Sequence, residues 1–253
     1  LLESSVNSQA SKIEAWLEEN LASMQMAKTM IEKLHPDEAQ LQTILDASCG
    51  YSENYPDGLF LADANGSFLK GTDSKKQEPN SKESMWYQEG MTRVNMAVGS
   101  AHQNPDGTNV VSASGLLNDG SDTVRVIAAD MTLDRISVIV NSFIEMHDAE
   151  AFLVDKDSSV ILASRDSDLI SKTLGADGQS AFYKDVEKKV SGKSYDFCTL
   201  DGNMTVFKEV NGTNWLLVSY VPTNVVLADL VGLRNLMIIF SIISILVLCV
   251  LIE

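Results

Sequence analysis

Apolar residues in the first stretch of the chain return on a helical period. Ala10, Leu17, Met24 and Ile31 recur every seven positions, and Val6, Ile13, Ala27 and Leu34 form a partner series broken only at Asn20. That spacing predicts one long helix over residues 3–35. Its apolar stripe fits two uses: a helix–helix seam between two copies, or an amphipathic face laid on the chain's own domain. Asn20 either sets register in such a seam or faces water. "HP" at 35–36 ends the helix, because the residue before a proline avoids the α region. Pro36 and Asp37 start a shorter helix through about Ala47.

Beyond this point the pattern becomes that of strands, and it repeats. "LFLADANGSFLKGTD" (59–73) lies over "AFLVDKDSSVILASR" (151–165), with Phe60 on Phe152, Asp63 on Asp155, Ser67 on Ser159 and Thr72 on Ser164. Each copy reads strand, polar turn, strand, and Asn65-Gly66 is hairpin turn chemistry. A calcium loop at "DKDSS" would need a later glutamate that is missing, so we read a turn. A helix with an aromatic pair follows each hairpin, "SMWYQEGM" (84–91) and "SAFYKDVEKKV" (180–190). Strands come next: "TNVVSASGLL" and "TVRVIAADM" in the first copy, "NMTVFKEV" and "NWLLVSYV" in the second. Two copies of one module are therefore stacked, joined by a helical connector over 131–147.

Residues 236–252 carry no charge, proline or glycine. As a helix they extend about 26 Å, near the thickness of a bilayer core. A transmembrane helix is expected; the alternative is a buried helix of a soluble protein. Pro222 marks the turn into it. We expect the chain to be a fragment, with a cytoplasmic part beyond Glu253 and "LLESS" the stub of an earlier span. The expected fold class is α+β: a long N-terminal helix (1–39), a membrane-distal module (40–145), a membrane-proximal module (146–230) and a transmembrane helix (231–253).

Composition narrows function more than fold. The 253 residues suffice for two domains, and the 45% hydrophobic content is that of a globular protein. A formal charge of −16 argues against a nucleic-acid partner, since phosphate binding needs a basic surface. Cys49, Cys198 and Cys249 lack metal-ligand spacing. Cys49 and Cys198 are read as reduced, with a disulfide between them as the alternative, and Cys249 as inert in its apolar run. His35, His102 and His147 are scattered, and GxSxG, HExxH, GxGxxG and P-loop motifs are absent from the sequence. No enzyme activity, cofactor or metal is expected.

The order of these parts resembles the double Cache (dCache) sensor family over roughly residues 3–252. The phrases that carry the resemblance are "WYQEG", "NPDGTNVVSAS" and "VIAADMTLDRIS". It implies PAS-like modules and an extracytoplasmic small-molecule sensor of a bacterial transmembrane receptor, whose output is a chemoreceptor region, a histidine kinase or a cyclic-dinucleotide enzyme. The alternative is a protein-interaction or structural ectodomain without a small ligand. In the amino-acid-binding branch an Arg-x-Trp-Tyr segment holds the ligand carboxylate, while a Tyr-x-Asp pair and a strand-ending Asp hold its ammonium. Trp86, Tyr87 and Asp130 fit that pattern. The arginine position is Ser84, and the Tyr-x-Asp pair falls at Ala101 and Gln103. Serine cannot replace a bidentate guanidinium. The expected ligand is therefore an amine or a neutral polar molecule rather than a simple amino acid. The expected ligand-binding residues are Trp86, Tyr87, Gln103, Ser112, Ser114 and Asp130. Asp130 has a second reading as N-cap of the next helix. A homodimer through the N-terminal helix is expected in the full-length receptor, in the cell membrane with residues 1–230 outside the cytoplasm.

Overall fold

The computed structural model describes residues 2–252, with side chains described except at 229, 230 and 245–252. The first helix, α1 (Leu2–Leu34), spends its apolar stripe on its own chain: Val6, Ala10, Ile13, Leu17, Met24 and Ile31 are all buried. Side chains committed there cannot also form a seam with a second copy, so the expected seam through Leu17 and Met24 is corrected to an intramolecular face. Asn20 is buried too, and it joins a polar chain. Its Nδ2 donates to the Trp16 carbonyl (2.6 Å) and its Oδ1 accepts from Asn54 Nδ2 (3.0 Å). Arg135 Nε in turn donates to Asn54 Oδ1 (2.9 Å). The break in the heptad is thus a tie between α1, the 49–58 loop and a later helix.

α1 stops where His35 turns left-handed (φ 47°) ahead of Pro36. α2 (Glu38–Ser48) starts on a capping box, with Asp37 accepting from the Gln40 N–H and the Gln40 side chain accepting from Asp37 N–H. The first sheet holds β1 (Phe60–Asp63), β2 (Phe68–Lys70), β3 (Ala97–Gln103), β4 (Asn109–Leu117) and β5 (Arg125–Thr132), with the short α3 (Met85–Gly90) between β2 and β3. α4 (Leu133–Ser142) leads to the second sheet, β6 (Glu150–Asp155), β7 (Ile161–Ser164), β8 (Cys198–Leu200), β9 (Asn203–Glu209) and β10 (Trp215–Pro222), with α5 (Ala181–Ser191) inserted. Both are five-stranded and antiparallel with matching orders, β2-β1-β5-β4-β3 and β7-β6-β10-β9-β8. The internal repeat is therefore a repeat of topology.

The repeated aspartate has a structural task in each copy. Asp63 Oδ1 accepts the N–H groups of Asn65 (2.8 Å) and Ser67 (2.9 Å). Asp155 Oδ1 accepts those of Asp157 (2.9 Å) and Ser158 (2.8 Å). These are side-chain-braced turns. β3 and β8 are edge strands that the sequence pattern did not single out.

The first sheet is covered on both faces. Met24, Ile31, Leu41 and Leu45 of α1 and α2 pack on Leu61, Ala113, Ile127 and Ala129. Trp86 and Tyr87 of α3 pack on Phe60, Ala62, Val126 and Ala128 on the other side. A further core spans both modules: the first half of α1 and α4 bring Val111 and Met131 of the first sheet together with Leu153, Val206, Trp215 and Leu217 of the second.

α6 (Thr223–Ile252) follows β10 directly. Its stretch Thr223–Ser244 has mean hydropathy 2.0 with none of that window buried, the one helix among the described residues long and apolar enough to cross a membrane. Cys49 and Cys198 are free thiols in different modules. The expectation for Cys249 lies outside the described side chains.

Candidate functional site

β4 and β5 are adjacent, and their register sets Ser112 directly opposite Asp130. Opposed residues share a face. Asp130 belongs to the same alternating set as Val126 and Ala128, so it lies under the α3 layer rather than under α1. The helix after it is capped by Thr132, whose side chain accepts from the Arg135 N–H (3.1 Å). The N-cap reading of Asp130 is thereby corrected: β5 runs through Thr132, and the cap lies two residues further on than expected.

A buried carboxylate without partners would cost several kcal/mol, and this one is fully provided for. Ser112 Oγ donates to Oδ1 (2.5 Å), and Asn104 Nδ2 donates to Oδ2 (2.9 Å). The third donor is the Lys76 ammonium, 2.7 Å from Oδ2, with a side chain only 2% exposed. Lys76 Nζ also donates to Asn104 Oδ1 (2.7 Å), lies 4.8 Å from the centre of the Phe60 ring and stands 3.7 Å from Glu78 Oε2. Trp86 Nε1 donates to that same Glu78 oxygen (3.0 Å). Carboxylate, carboxamide oxygen and aromatic face together make a seat for one ammonium group.

Lys76 arrives on a strap, residues 71–80, between β2 and the 3-10 turn Ser81–Glu83. Along the strap Ser74 and Lys76 are buried and Glu78 half-buried, while Lys75 and Gln77 are exposed. The alternation is that of an extended chain lying on a surface. Its start is tied down by Thr72 N–H to Asp46 (2.6 Å), Lys75 N–H to Asp57 (2.7 Å) and Lys70 Nζ to the Ser74 carbonyl (2.7 Å). The Thr72 amide, with the Gln42 side chain second, holds the exposed Asp46 below its ordinary carboxylate pKa.

A cleft of about 360 Å³ opens beside the seat. Glu78 and Asn104, which flank the Lys76 ammonium, also line this cleft with Ser84, Met85, His102 and Gln103, and among the described residues no lysine or arginine is part of its wall. A cleft of about 440 Å³ at the β4–β5 turn is lined by Glu32, Asp119 and Asp122 and lies away from this seat.

The structure brings Trp86, Ser112 and Asp130 into this one cluster. Tyr87 stands behind Trp86, edge-on at 5.8 Å between ring centres. Burial and the Asp63 charge push its phenol pKa up. Ser114 is buried further along β4, where its Oγ meets Arg93 (3.4 Å). Gln103 is exposed and lines the cleft beside the seat, and its amide donates to the Gly107 carbonyl across the β3–β4 turn (3.1 Å). Its neighbour His102 takes the inward position, with Nε2 3.4 Å from Ser112 Oγ. Lys76, Glu78, Asn104 and Phe60 were not anticipated as a group. The inward period of Ser74, Lys76 and Glu78 is the only trace of it in the sequence.

The second module lacks this seat. Tyr220 and Thr205 are cross-strand partners where the first module has Asp130 and Ser112. The Tyr220 ring lies 4.4 Å from that of Phe182, and its hydroxyl donates to Glu150 (2.9 Å). Burial, reinforced by the Tyr183 hydroxyl and the Glu150 carboxylate, raises the Tyr220 phenol pKa far above its ordinary value.

A long helix carrying two tandem antiparallel sheets of matching topology, one with an ammonium seat and one filled by aromatic rings, defines a double Cache sensor domain. The chain belongs to that family: the Cache-domain profile (dCache_1) matches residues 1–230. Among solved structures it is similar to the ligand-binding domain of the Pseudomonas fluorescens chemoreceptor CtaA in complex with L-isoleucine (18% identity, TM-score 0.67, 87% of this chain and 90% of that one). It is similar to the ligand-binding domain of the Pseudomonas aeruginosa amino acid chemoreceptor PctB in complex with L-Arg (20%, 0.67, 88% and 94%). The Pseudomonas aeruginosa PctC domain in complex with GABA is comparable (22%, 0.63, 84% and 95%). No curated protein matches the sequence significantly. These structures overturn the expectation of an amine or neutral polar ligand in preference to a simple amino acid, since domains of this fold hold L-isoleucine, L-arginine and GABA. Replacing one arginine by Ser84 is too narrow a basis for setting that class aside, because another cation can enter the site from a different segment.

Proposed function

We propose that the chain is the extracytoplasmic sensing part of a transmembrane receptor, with residues 40–145 as the ligand-binding module, 146–230 as the module next to the membrane and α6 as the span. The ligand is an amino acid or a close relative carrying both an ammonium and a carboxylate group. The observation that carries this reading is the ammonium seat at Asp130, built from buried polar groups in one module and separated from a cleft only by Glu78 and Asn104, while the equivalent place in the other module is filled by Tyr220 and Phe182. The ligands of the similar structures support the class, and the exposed apolar α6 supports the membrane location. Asp130, Ser112 and Trp86 belong to the proposed site; Asn104, Glu78 and Lys76 complete it.

The test is a screen of the L-amino acids and GABA against the full chain in lipid nanodiscs, by thermal shift and then calorimetry. At least one should raise the melting temperature through mass action. Asp130→Asn should weaken its binding about 10- to 100-fold, the value of a charge-assisted hydrogen bond. Failure of every compound to bind at millimolar concentration would sink the reading.

A further inference from the structure

The seat that suits a ligand's ammonium already holds the ammonium of Lys76, and among the described residues the cleft wall offers no lysine or arginine to a ligand's carboxylate. One residue accounts for both facts. We propose that Lys76 is a tethered stand-in for the ligand: it surrenders the Asp130 seat to the incoming ammonium and then meets the ligand's carboxylate in the cleft. This rests on the reading of the site as one for amino acids or their relatives, and it names the residue that selects them.

The seat admits one ammonium group at a time. Asp130 Oδ2, Asn104 Oδ1 and the Phe60 face all converge on a single Nζ, at 2.7 Å, 2.7 Å and 4.8 Å. Two ammonium groups cannot share that point, because like charges a few Å apart in a poorly solvated site repel strongly. A ligand ammonium in the seat therefore requires Lys76 Nζ to leave.

Departure is open to it. The strap has no regular secondary structure, and the Lys76 N–H reaches only the Ser74 Oγ, at 3.3 Å. The flexible four-carbon stem lets the ammonium swing while the backbone stays tied at Asp46 and Asp57. The path is short, since Glu78 and Asn104 touch or flank Nζ on one side and line the cleft on the other.

Selectivity follows from the exchange. A ligand with only an ammonium evicts Lys76 and leaves its charge without a counter-ion. A ligand with only a carboxylate finds Lys76 already paired with Asp130. A molecule with both groups replaces one ion pair by two, so the strap does the work that an arginine at position 84 would do.

The test uses the full chain in nanodiscs. Lys76→Ala removes three methylenes and the ammonium, which n-propylammonium restores as a free molecule. At tens of millimolar it should raise the melting temperature of Lys76→Ala by several degrees and leave wild type unmoved, with 1-propanol without effect on either. Absence of that rescue overturns the seat assignment. The second arm compares an amino acid that binds wild type with its decarboxylated amine. Wild type should prefer the amino acid by about tenfold or more, and Lys76→Ala should bind the two within about threefold, with the amine tighter than in wild type. A preference that survives in the variant overturns the carboxylate role. If Lys76→Ala does not fold, Lys76→Gln, which keeps a donor for Asp130, carries the second comparison. Rescue by propylammonium together with no amino-acid binding to wild type would overturn the proposed ligand class and the carboxylate role with it, while establishing the seat.

Discussion

Asp130 and Thr132 divide two tasks that the sequence allowed a single aspartate to perform. Thr132 caps α4, so Thr132→Ala should lower the unfolding free energy by about 1 kcal/mol in a urea titration, while Asp130→Asn leaves the cap intact. An Asp130→Asn protein with a frayed α4 would contradict the assignment. Asp130 itself was legible because a carboxylate at the end of an apolar strand needs a partner. Its partner was not, because a lysine in "SKKQEPN" reads as one more solvated charge until the strap is known to lie on a sheet face. Gln103 lines the cleft without touching the Asp130 cluster, and the sequence could not separate those two positions. Strand β3 alternates so weakly that its inward residue could not be chosen, and the structure turns His102 inward and Gln103 out.

At the level of elements, segments with a clear period or a marked turn were readable and weakly patterned edge strands were not. α1 and α2 lie within a residue or so of their expected ends, because a capping box and a left-handed residue before proline mark those ends chemically. β3 and β8 escaped notice; both are edge strands with few fully buried positions to mark a period. The heptad of α1 gave the correct face and left its partner open, since a stripe of that spacing fits a sheet as well as a helix. Leu17→Ala should therefore destabilise the chain by about 2–5 kcal/mol, as for a truncated core leucine. A loss below about 1 kcal/mol in equilibrium unfolding would mean that the stripe is not packed intramolecularly. The second module allows a different check. Burial raises the phenol pKa of both Tyr183 and Tyr220, so the folded state prefers them protonated. Their contribution is fully present below the unfolded value of about 10 and declines as pH rises beyond it. In an alkaline ultraviolet titration these two phenols should ionise only as the module loses its near-ultraviolet circular dichroism. Ionisation near pH 10 with that signal unchanged would refute the burial argument.

For the whole molecule, the duplicated topology was visible because turn aspartates and aromatic pairs recur in step, and the closing apolar helix because nothing in its composition interrupts it. The contact between the modules left no such trace: it is made by α1 and α4 residues whose partners lie far along the chain. Val6, Ile13 and Leu17 meet Ile136 and Val140, and through them Met131 of one sheet meets Trp215 and Leu217 of the other. Polar ties follow the same helix, from Glu14 to the Asn211 N–H (2.8 Å) near one sheet and from Gln25 to the Met96 N–H (2.8 Å) near the other. A core held in common cannot be dismantled from one side alone. Heat should therefore melt residues 2–222 in one cooperative step, with equal calorimetric and van't Hoff enthalpies, although the sequence is a tandem duplication. Two resolved peaks in a scanning calorimeter would show that the shared core does not couple the unfolding of the two sheets. With a single peak, a ligand held at Asp130 would stabilise Trp215 and its neighbours as fully as the residues it touches.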